Sequence, residues 1–547
     1  MPVNPLAAAS LMALAVCAAS AAAPVGDGFM NINRAPDAVT AITEDSTLEL
    51  ARDGDAWKGG GIEVAARAAK DGLRVELSAP TSAVKYLRLH WNAAPPAGWK
   101  YLGDAWERAY GNLQWLPLDA ARVMPWYFLA TDGRTTHGYG VAVGPAAMCG
   151  WTVDPEGVTL DADVRCGGLG VKLGNRRLTV FTILVRRGKA GETPFAAARA
   201  FCRRMSPKPR APKQPIYGFN DWYCDYGKNS AQSVRYYAAF VGRLAPKGAN
   251  RPFMVVDDGW QPNGGSGRGG PWDRANEKFG NMAEVAKDIR AAGARPGIWT
   301  RLLAAQDGQP SSWRIAGKDD VLDVSVPAVR AYVVETVARF RSWGYDLIKH
   351  DYSTWDISGA WGRSAGAAPD ATWAFADRGR TTAEILRDHY QSIREGAGDG
   401  IVIGCNTVGH LAAGIFEAQR IGDDTSGNDW GRTLKMGVNA LAFRAPQQGS
   451  FYDADADCVG LTQSEAIPWS LNRQWLDLVS RSGTPLFISF KQGSVTPEQE
   501  AVIASALAIA AKPHPVAEPL DWLESLQPRR WKLMGKTVEY DWSVPGK

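Results

Sequence analysis

Between residues 219 and 457, carboxylates stand directly behind short apolar runs again and again. Asp257 and Asp258 follow Phe253-Met254-Val255-Val256, and Asp351 follows Leu347-Ile348-Lys349-His350. Asp423 and Asp424 come just after Arg420-Ile421-Gly422, and Asp453, Asp455 and Asp457 form a later group. Trp222, Trp260 and Trp299 accompany them at similar places. Carboxylates accept hydroxyl protons and indoles stack on C–H faces, a combination that suits a neutral polyhydroxylated ligand. Two carboxylates also suffice to cleave a glycosidic bond without metal or cofactor. Each group has a plainer reading. Asp-Asp-Gly is a common turn, and Lys349 with Asp351 would make a surface ion pair. The 453/455/457 aspartates would make a solvated or calcium-holding loop, and His350 a packed or exposed histidine. Position favours chemistry, because strand ends of one barrel bring all these side chains to one mouth.

The elements needed for that are legible from Ile216 onward. Apolar strand-like runs alternate with helical stretches: Phe253–Val256, a helix near 281–293, Arg295–Trp299, and a helix near 327–343. In the last, Val329, Tyr332, Val333, Val337 and Phe340 share one face and Pro327 sits in the first turn. Helices near 381–395, 429–440, 470–481 and 497–511 follow, with the apolar runs 346–348, 401–404 and 485–489 between them. Repeated β–α units over residues 211–512 predict a (β/α)8 TIM-type barrel. A doubly wound sheet is the alternative, but no Gly-x-Gly-x-x-Gly turn follows the first strand. Residues 24–210 read as a β-sandwich domain, from short alternating runs such as 73–77, 84–89 and 178–185. A basic, proline-rich linker spans 206–215, and a short β segment occupies 513–547. The predicted fold class is therefore multidomain, β followed by α/β.

Composition narrows the partners. With 61 Lys+Arg against 57 Asp+Glu and no basic block, the chain lacks the concentrated positive face that nucleic acid requires. Residues 1–23 carry no charge, hold an apolar run at 6–16 too short to span a bilayer, and end in Ala19-Ser20-Ala21-Ala22-Ala23. That is the pattern of a cleaved leader, and it predicts an exported protein, periplasmic or secreted. Beyond Cys17 the six cysteines show no zinc spacing. Cys149 with Cys166 is a plausible disulfide, and no metal or cofactor is expected. Oligomeric state is open.

The order of these pieces resembles the α-galactosidase clan of glycoside hydrolases, families 27 and 36, and family 36 in its N-terminal sandwich. The matching segments are Gly218-Phe219-Asn220-Asp221-Trp222, Val256-Asp257-Asp258-Gly259-Trp260, Pro296-Gly297-Ile298-Trp299-Thr300 and Ile348-Lys349-His350-Asp351. Gly404-Cys405-Asn406, Arg420-Ile421-Gly422-Asp423-Asp424-Thr425, Asp455-Ala456-Asp457-Cys458 and Thr484-Pro485-Leu486-Phe487-Ile488-Ser489 continue them in the same order. The resemblance implies that Asp351 is the nucleophile and that Asp424, four residues after Arg420, is the acid/base. It implies that Asp257 and Asp258 bind sugar hydroxyls, and that Trp222, Trp299, Lys349, Cys405, Asn406, Arg420 and Asp457 complete the substrate site. Lys349 should favour ionised Asp351, while Asp423 and burial should keep Asp424 protonated against Arg420. Asp257→Ala and Asp258→Ala should both weaken sugar recognition far more than folding.

Two departures matter. The clan usually carries a C-terminal β domain, for which residues 513–547 are short. The strand-five loop Asn406-Thr407-Val408-Gly409-His410 also lacks the usual arrangement that recognises galactose. The expectation is a retaining exo-α-glycosidase hydrolysing terminal α-galactosides of oligosaccharides or glycans. An α-N-acetylgalactosaminidase, another α-glycosidase of the clan, or a transglycosidase would share these residues. A glycan-binding protein without catalysis would not need both Asp351 and Asp424.

Overall fold

Alternating burial shapes the N-terminal half, as the period-2 sequence pattern requires. The strands Gly72–Ser78 and Ala83–Trp91 alternate inward apolar with outward polar residues. The computed structural model describes residues 27–265, 269–359, 372–461 and 466–544. The leader expected over residues 1–23 lies outside them. Within the described part, a seven-stranded and an eight-stranded antiparallel sheet pack face to face. Trp151 of one sheet lies edge-on to Phe128 of the other, with ring centroids 5.8 Å apart. The helix Pro194–Met205, capped by Thr193, follows the last strand and packs Phe201 against Tyr127.

The second half forms a nine-piece parallel sheet in the order 453–455, 418–420, 401–404, 347–350, 295–300, 253–256, 217–220, 486–489, 458–460. Its two edges belong to one stretch of chain. Asp453–Asp455 pairs with the sixth strand and Cys458–Gly460 with the eighth. Asp457, at φ 72°, breaks the stretch between them. One bent seventh strand thus closes an eight-stranded ring. Parallel register then sets Asp221, Asp257, Arg301, Asp351 and Cys405 on one rim, each one residue past its strand.

Expected helices appear at Met282–Ala291, Pro327–Ser342, Thr382–Ala397, Trp469–Arg481 and Pro497–Ala510. The helix Ala231–Leu244, closed by a Ser230/Ser233 capping box, was not in the sequence pattern. The single helix expected near 429–440 is instead a π-helix, Thr433–Asn439, between two short α-helical turns. Its backbone presses on the end of strand six, where a Cβ on Gly422 would lie 1.8 Å from the Met436 carbonyl oxygen. Only glycine fits there. Residues 518–539 make a three-stranded sheet, and Trp430 Nε1 donates to the Trp542 carbonyl at 2.8 Å, holding this segment to the barrel.

All six described cysteines are free thiols, which corrects the expected Cys149–Cys166 pair. Cys149 points at the Ala147 carbonyl, whereas Cys166 points at the Phe375 and Asp377 carbonyls. Among the described residues no helix is long and apolar enough to cross a membrane.

Candidate active site

The rim encloses a cavity of about 230 Å³. Trp222, Asp257, Asp258, Trp299, Lys349, Asp351, Cys405, Asn406 and Asp424 line it, and so do Tyr352 and Asp423. Nine of the eleven sequence-derived site residues therefore meet at one place. Arg420 and Asp457 lie behind the wall. Arg420 Nη2 bridges Asp424 Oδ1 at 2.9 Å and Asp457 Oδ2 at 3.0 Å, and Nη1 donates to Cys405 Sγ at 3.6 Å. Asp457 also accepts from the Thr425 amide and hydroxyl and from the Tyr223 hydroxyl. All of these contacts fall on its Oδ2, beneath Asp424. The three strand-seven aspartates do not converge as a loop, since Asp453 accepts from Gln448 and Asp455 from the Asp457 amide.

Asp351 is fixed from several sides. Its Oδ1 accepts from the Tyr352 amide at 2.7 Å, the Asn406 amide at 3.2 Å and the Asn406 side-chain amide. Oδ2 accepts from Trp299 Nε1 at 3.0 Å. Tyr352 is held at φ 70°, and the Arg301 guanidinium lies over its ring at 4.4 Å while pairing with Asp356. A non-glycine residue at such a φ is uncommon and gathers at functional sites.

Lys349 pairs with Asp257, not with Asp351: Nζ lies 2.6 Å from Asp257 Oδ2. Burial pushes the Lys349 ammonium down, but Asp257 and its neighbours outweigh this and hold it above the ordinary lysine range. Asp257 Oδ2 also accepts from Asn220 at 2.8 Å, and Oδ1 from the Asp258 amide at 3.0 Å. Asp258 differs. Its Oδ1 accepts from Gln261 and the Gly265 amide, while Oδ2 has no partner among the described residues. Burial raises its pKa. The two aspartates, expected from sequence to behave alike, therefore stand in different surroundings. Asp257→Ala strands a buried cation and is expected to cost about 3–5 kcal/mol of stability. Asp258→Ala strands no charge, so it is expected to cost clearly less stability than Asp257→Ala and to lose sugar affinity by about 1.5–3 kcal/mol. Thermal melts beside ligand titrations check this, and equal melting losses would refute it.

Trp260, offered by the sequence as a sugar platform, is fully buried. It donates to the Trp299 carbonyl and packs on Phe340 and Trp343, away from the cavity. His350 is packed, its Nε2 3.3 Å from that of His389.

Two wall residues come from outside the barrel. Arg108 and Tyr110 belong to the segment joining the sandwich strands Lys100–Gly103 and Met124–Pro125. Its Ala109 forms a parallel bridge with Gly422, the Ala109 amide donating to the Ile421 carbonyl at 2.8 Å and the Asp423 amide to the Ala109 carbonyl at 3.1 Å. Asp104 anchors the same segment through Arg444 and Gln447. Sequence reasoning missed both residues because they obey no strand-end rule. The only signal was a dense polar and aromatic stretch, Asp104-Ala105-Trp106-Glu107-Arg108-Ala109-Tyr110, inside a β region.

Arg108 lies 3.0 Å from Asp423 Oδ1 and 3.7 Å from Asp424 Oδ1. Asp423 also pairs with Arg432 at 2.6 Å. Burial pushes the Asp424 carboxyl up, but Arg420, Arg108 and Lys349 outweigh it and bring it down to about 2. The expectation of a protonated Asp424 at rest is thereby corrected: ligand-free, it is a carboxylate.

No protein-family profile matches the chain. Solved structures do. The α-galactosidase TtGalA from Thermus thermophilus, in complex with stachyose, superposes with a TM-score of 0.58 at 16% identity, over 86% of this chain and 99% of that one. A variant of the family GH36 α-galactosidase AgaA from Geobacillus stearothermophilus, in complex with 1-deoxygalactonojirimycin, gives 0.59 at 13% identity, over 91% and 79%. The galactosidase domain of the α-galactosidase–sucrose kinase AgaSK gives 0.54 at 15% identity, over 83% and 67%. The chain therefore has the fold of the GH36 α-galactosidases, a multidomain arrangement around a TIM barrel.

Proposed function

We propose that the chain is a retaining exo-α-glycosidase that releases terminal α-galactose, with Asp351 as nucleophile and Asp424 as acid/base. The observation that carries this is the meeting of both carboxylates in one cavity of about 230 Å³. That size holds one sugar ring, which favours attack on a chain end. Support for galactose comes from the solved α-galactosidases of this fold, which hold stachyose and 1-deoxygalactonojirimycin.

Asp351 Oδ2 carries one indole hydrogen bond while Oδ1 carries three, so Oδ2 is the freer oxygen for attack on the anomeric carbon. In the first half-reaction the C1–Oδ2 bond forms, the glycosidic C–O bond breaks, and Asp424 gives its proton to the leaving oxygen. In the second, water gives Asp424 a proton, its oxygen bonds to C1, and Asp351 departs. The Asp424 side chain is 38% exposed in the free protein. A sugar bound over it removes water and raises its pKa, so the proton is acquired as substrate binds.

Proton NMR of the first-formed anomer tests the scheme. An aryl α-galactoside should release α-galactose first, before mutarotation. Initial β-galactose would exclude double displacement, and turnover confined to α-N-acetylgalactosaminides would move the specificity. Binding without turnover of any α-glycoside would leave a glycan-binding protein.

A further inference from the structure

We infer that Arg108 is a positioning residue for Asp424: the sandwich lends the barrel a guanidinium that steers the acid/base carboxyl and sets the pH at which it yields its proton. The inference rests on the function proposed above for the role of Asp424, but not for the electrostatics.

The geometry is specific. Arg108 is buried, and its segment is held to the end of strand six by the two Ala109 backbone hydrogen bonds. Its backbone is thus registered against Gly422, one residue before Asp423 and two before Asp424. The guanidinium reaches both aspartates, and Asp423 is pinned from its other side by Arg432. Asp423 therefore orients Arg108, and Arg108 addresses Asp424. This gives a task to the carboxylate that the spacing from Arg420 leaves unused.

Other charged groups face Asp424 from every side. Arg420 comes from strand six, Lys349 from strand four, and Asp423 is its neighbour in sequence. The hydroxyls of Tyr223, Tyr226 and Tyr352 and the Asp457 carboxylate also surround it, with Asp351 in the same cavity and Arg432, whose Nε donates to the Asp424 carbonyl, beside its backbone. Arg420 is committed to Asp457 as well as Asp424, and Lys349 to Asp257. Arg108 is the cation that reaches Asp424 from the sandwich, and its link can be altered without touching a barrel strand.

The sign follows from charge. A cation beside a carboxylate favours its ionised form, so removing it raises the pKa. In the full-length protein, Arg108→Met should move the alkaline limb of kcat upward by about one pH unit or more for a substrate with a poor leaving group. Arg108→Lys should restore most of that shift. Asp423→Asn should move the limb the other way, because it removes a neighbouring negative charge and leaves Arg108 to Asp424. A disruption of structure alone would not reverse sign between two neighbouring variants.

A second readout needs no turnover. The Asp424 carboxyl carbon, assigned by its loss in Asp424→Asn, should titrate at higher pH in ligand-free Arg108→Met than in wild type by ¹³C NMR. An unchanged Asp424 titration in folded Arg108→Met overturns the inference, as does an equal shift in the Lys and Met variants. If wild type hydrolyses no α-galactoside yet the Asp424 titration moves as stated, the proposed function fails and the electrostatic role of Arg108 stands.

Discussion

Asp351→Ala is expected to lower kcat on aryl α-galactosides by on the order of 10⁵ or more, with little change in stability. The carboxylate is the acceptor for Trp299 Nε1 and Asn406, and both donors face a cavity that water can enter in its place. The loss therefore falls on chemistry rather than on folding. Azide gives the test its direction. In Asp351→Ala the anion can occupy the vacated volume, attack the anomeric carbon from the nucleophile's side and expel the leaving group with one inversion. The product should be β-galactosyl azide. Activity within tenfold of wild type would remove Asp351 from the mechanism.

Asp424→Ala should show a different signature. Substrates with poor leaving groups should lose about 10²–10⁴ in kcat/KM, since the departing oxygen then lacks its proton donor. Aryl glycosides with good leaving groups should lose far less in the first half-reaction and accumulate the glycosyl-enzyme. Added azide should relieve that accumulation by attacking the ester from the opposite face, giving α-galactosyl azide. The two variants thus differ in the anomer they make from one substrate and one anion. If Asp423→Ala shows the leaving-group dependence and α-azide product while Asp424→Ala does not, the assignment is one residue out. The geometry argues against that, because Asp423 is tied between Arg108 and Arg432.

Reading along the chain recovered the site's rim because a parallel barrel obeys one rule: the residue after each strand faces the mouth. Asp257, Asp351 and Cys405 are legible for that reason alone. Alternation also explains the plainer reading of His350, which is packed. Lys349 turns inward and His350 outward, so His350 finds His389 and not a sugar. Trp260 lies one turn further on, where the chain has already left the rim for the packing against Phe340. Pairing between side chains was not legible, since spacing placed Lys349 near Asp351 while distance gives it to Asp257. Arg108 was invisible for a deeper reason. It arrives from more than 300 residues upstream of Asp424 through backbone hydrogen bonds, which leave no mark on residue type.

The bent seventh strand has a consequence for how the molecule is made. Six strands, from Tyr217 to Arg420, leave the ribosome before either of the segments that finish the ring. Until residues 453–460 and 486–489 are synthesised, those six are an open parallel sheet with both edges unpaired, the kind of surface on which nascent chains join their neighbours. The kink at Asp457 lets one stretch cover the edge at 418–420 and bridge to Leu486–Ser489, which covers the other edge at 217–220, so the ring closes only when that last strand arrives. Substitutions there should therefore register first in the yield of soluble protein, before any effect on the finished enzyme.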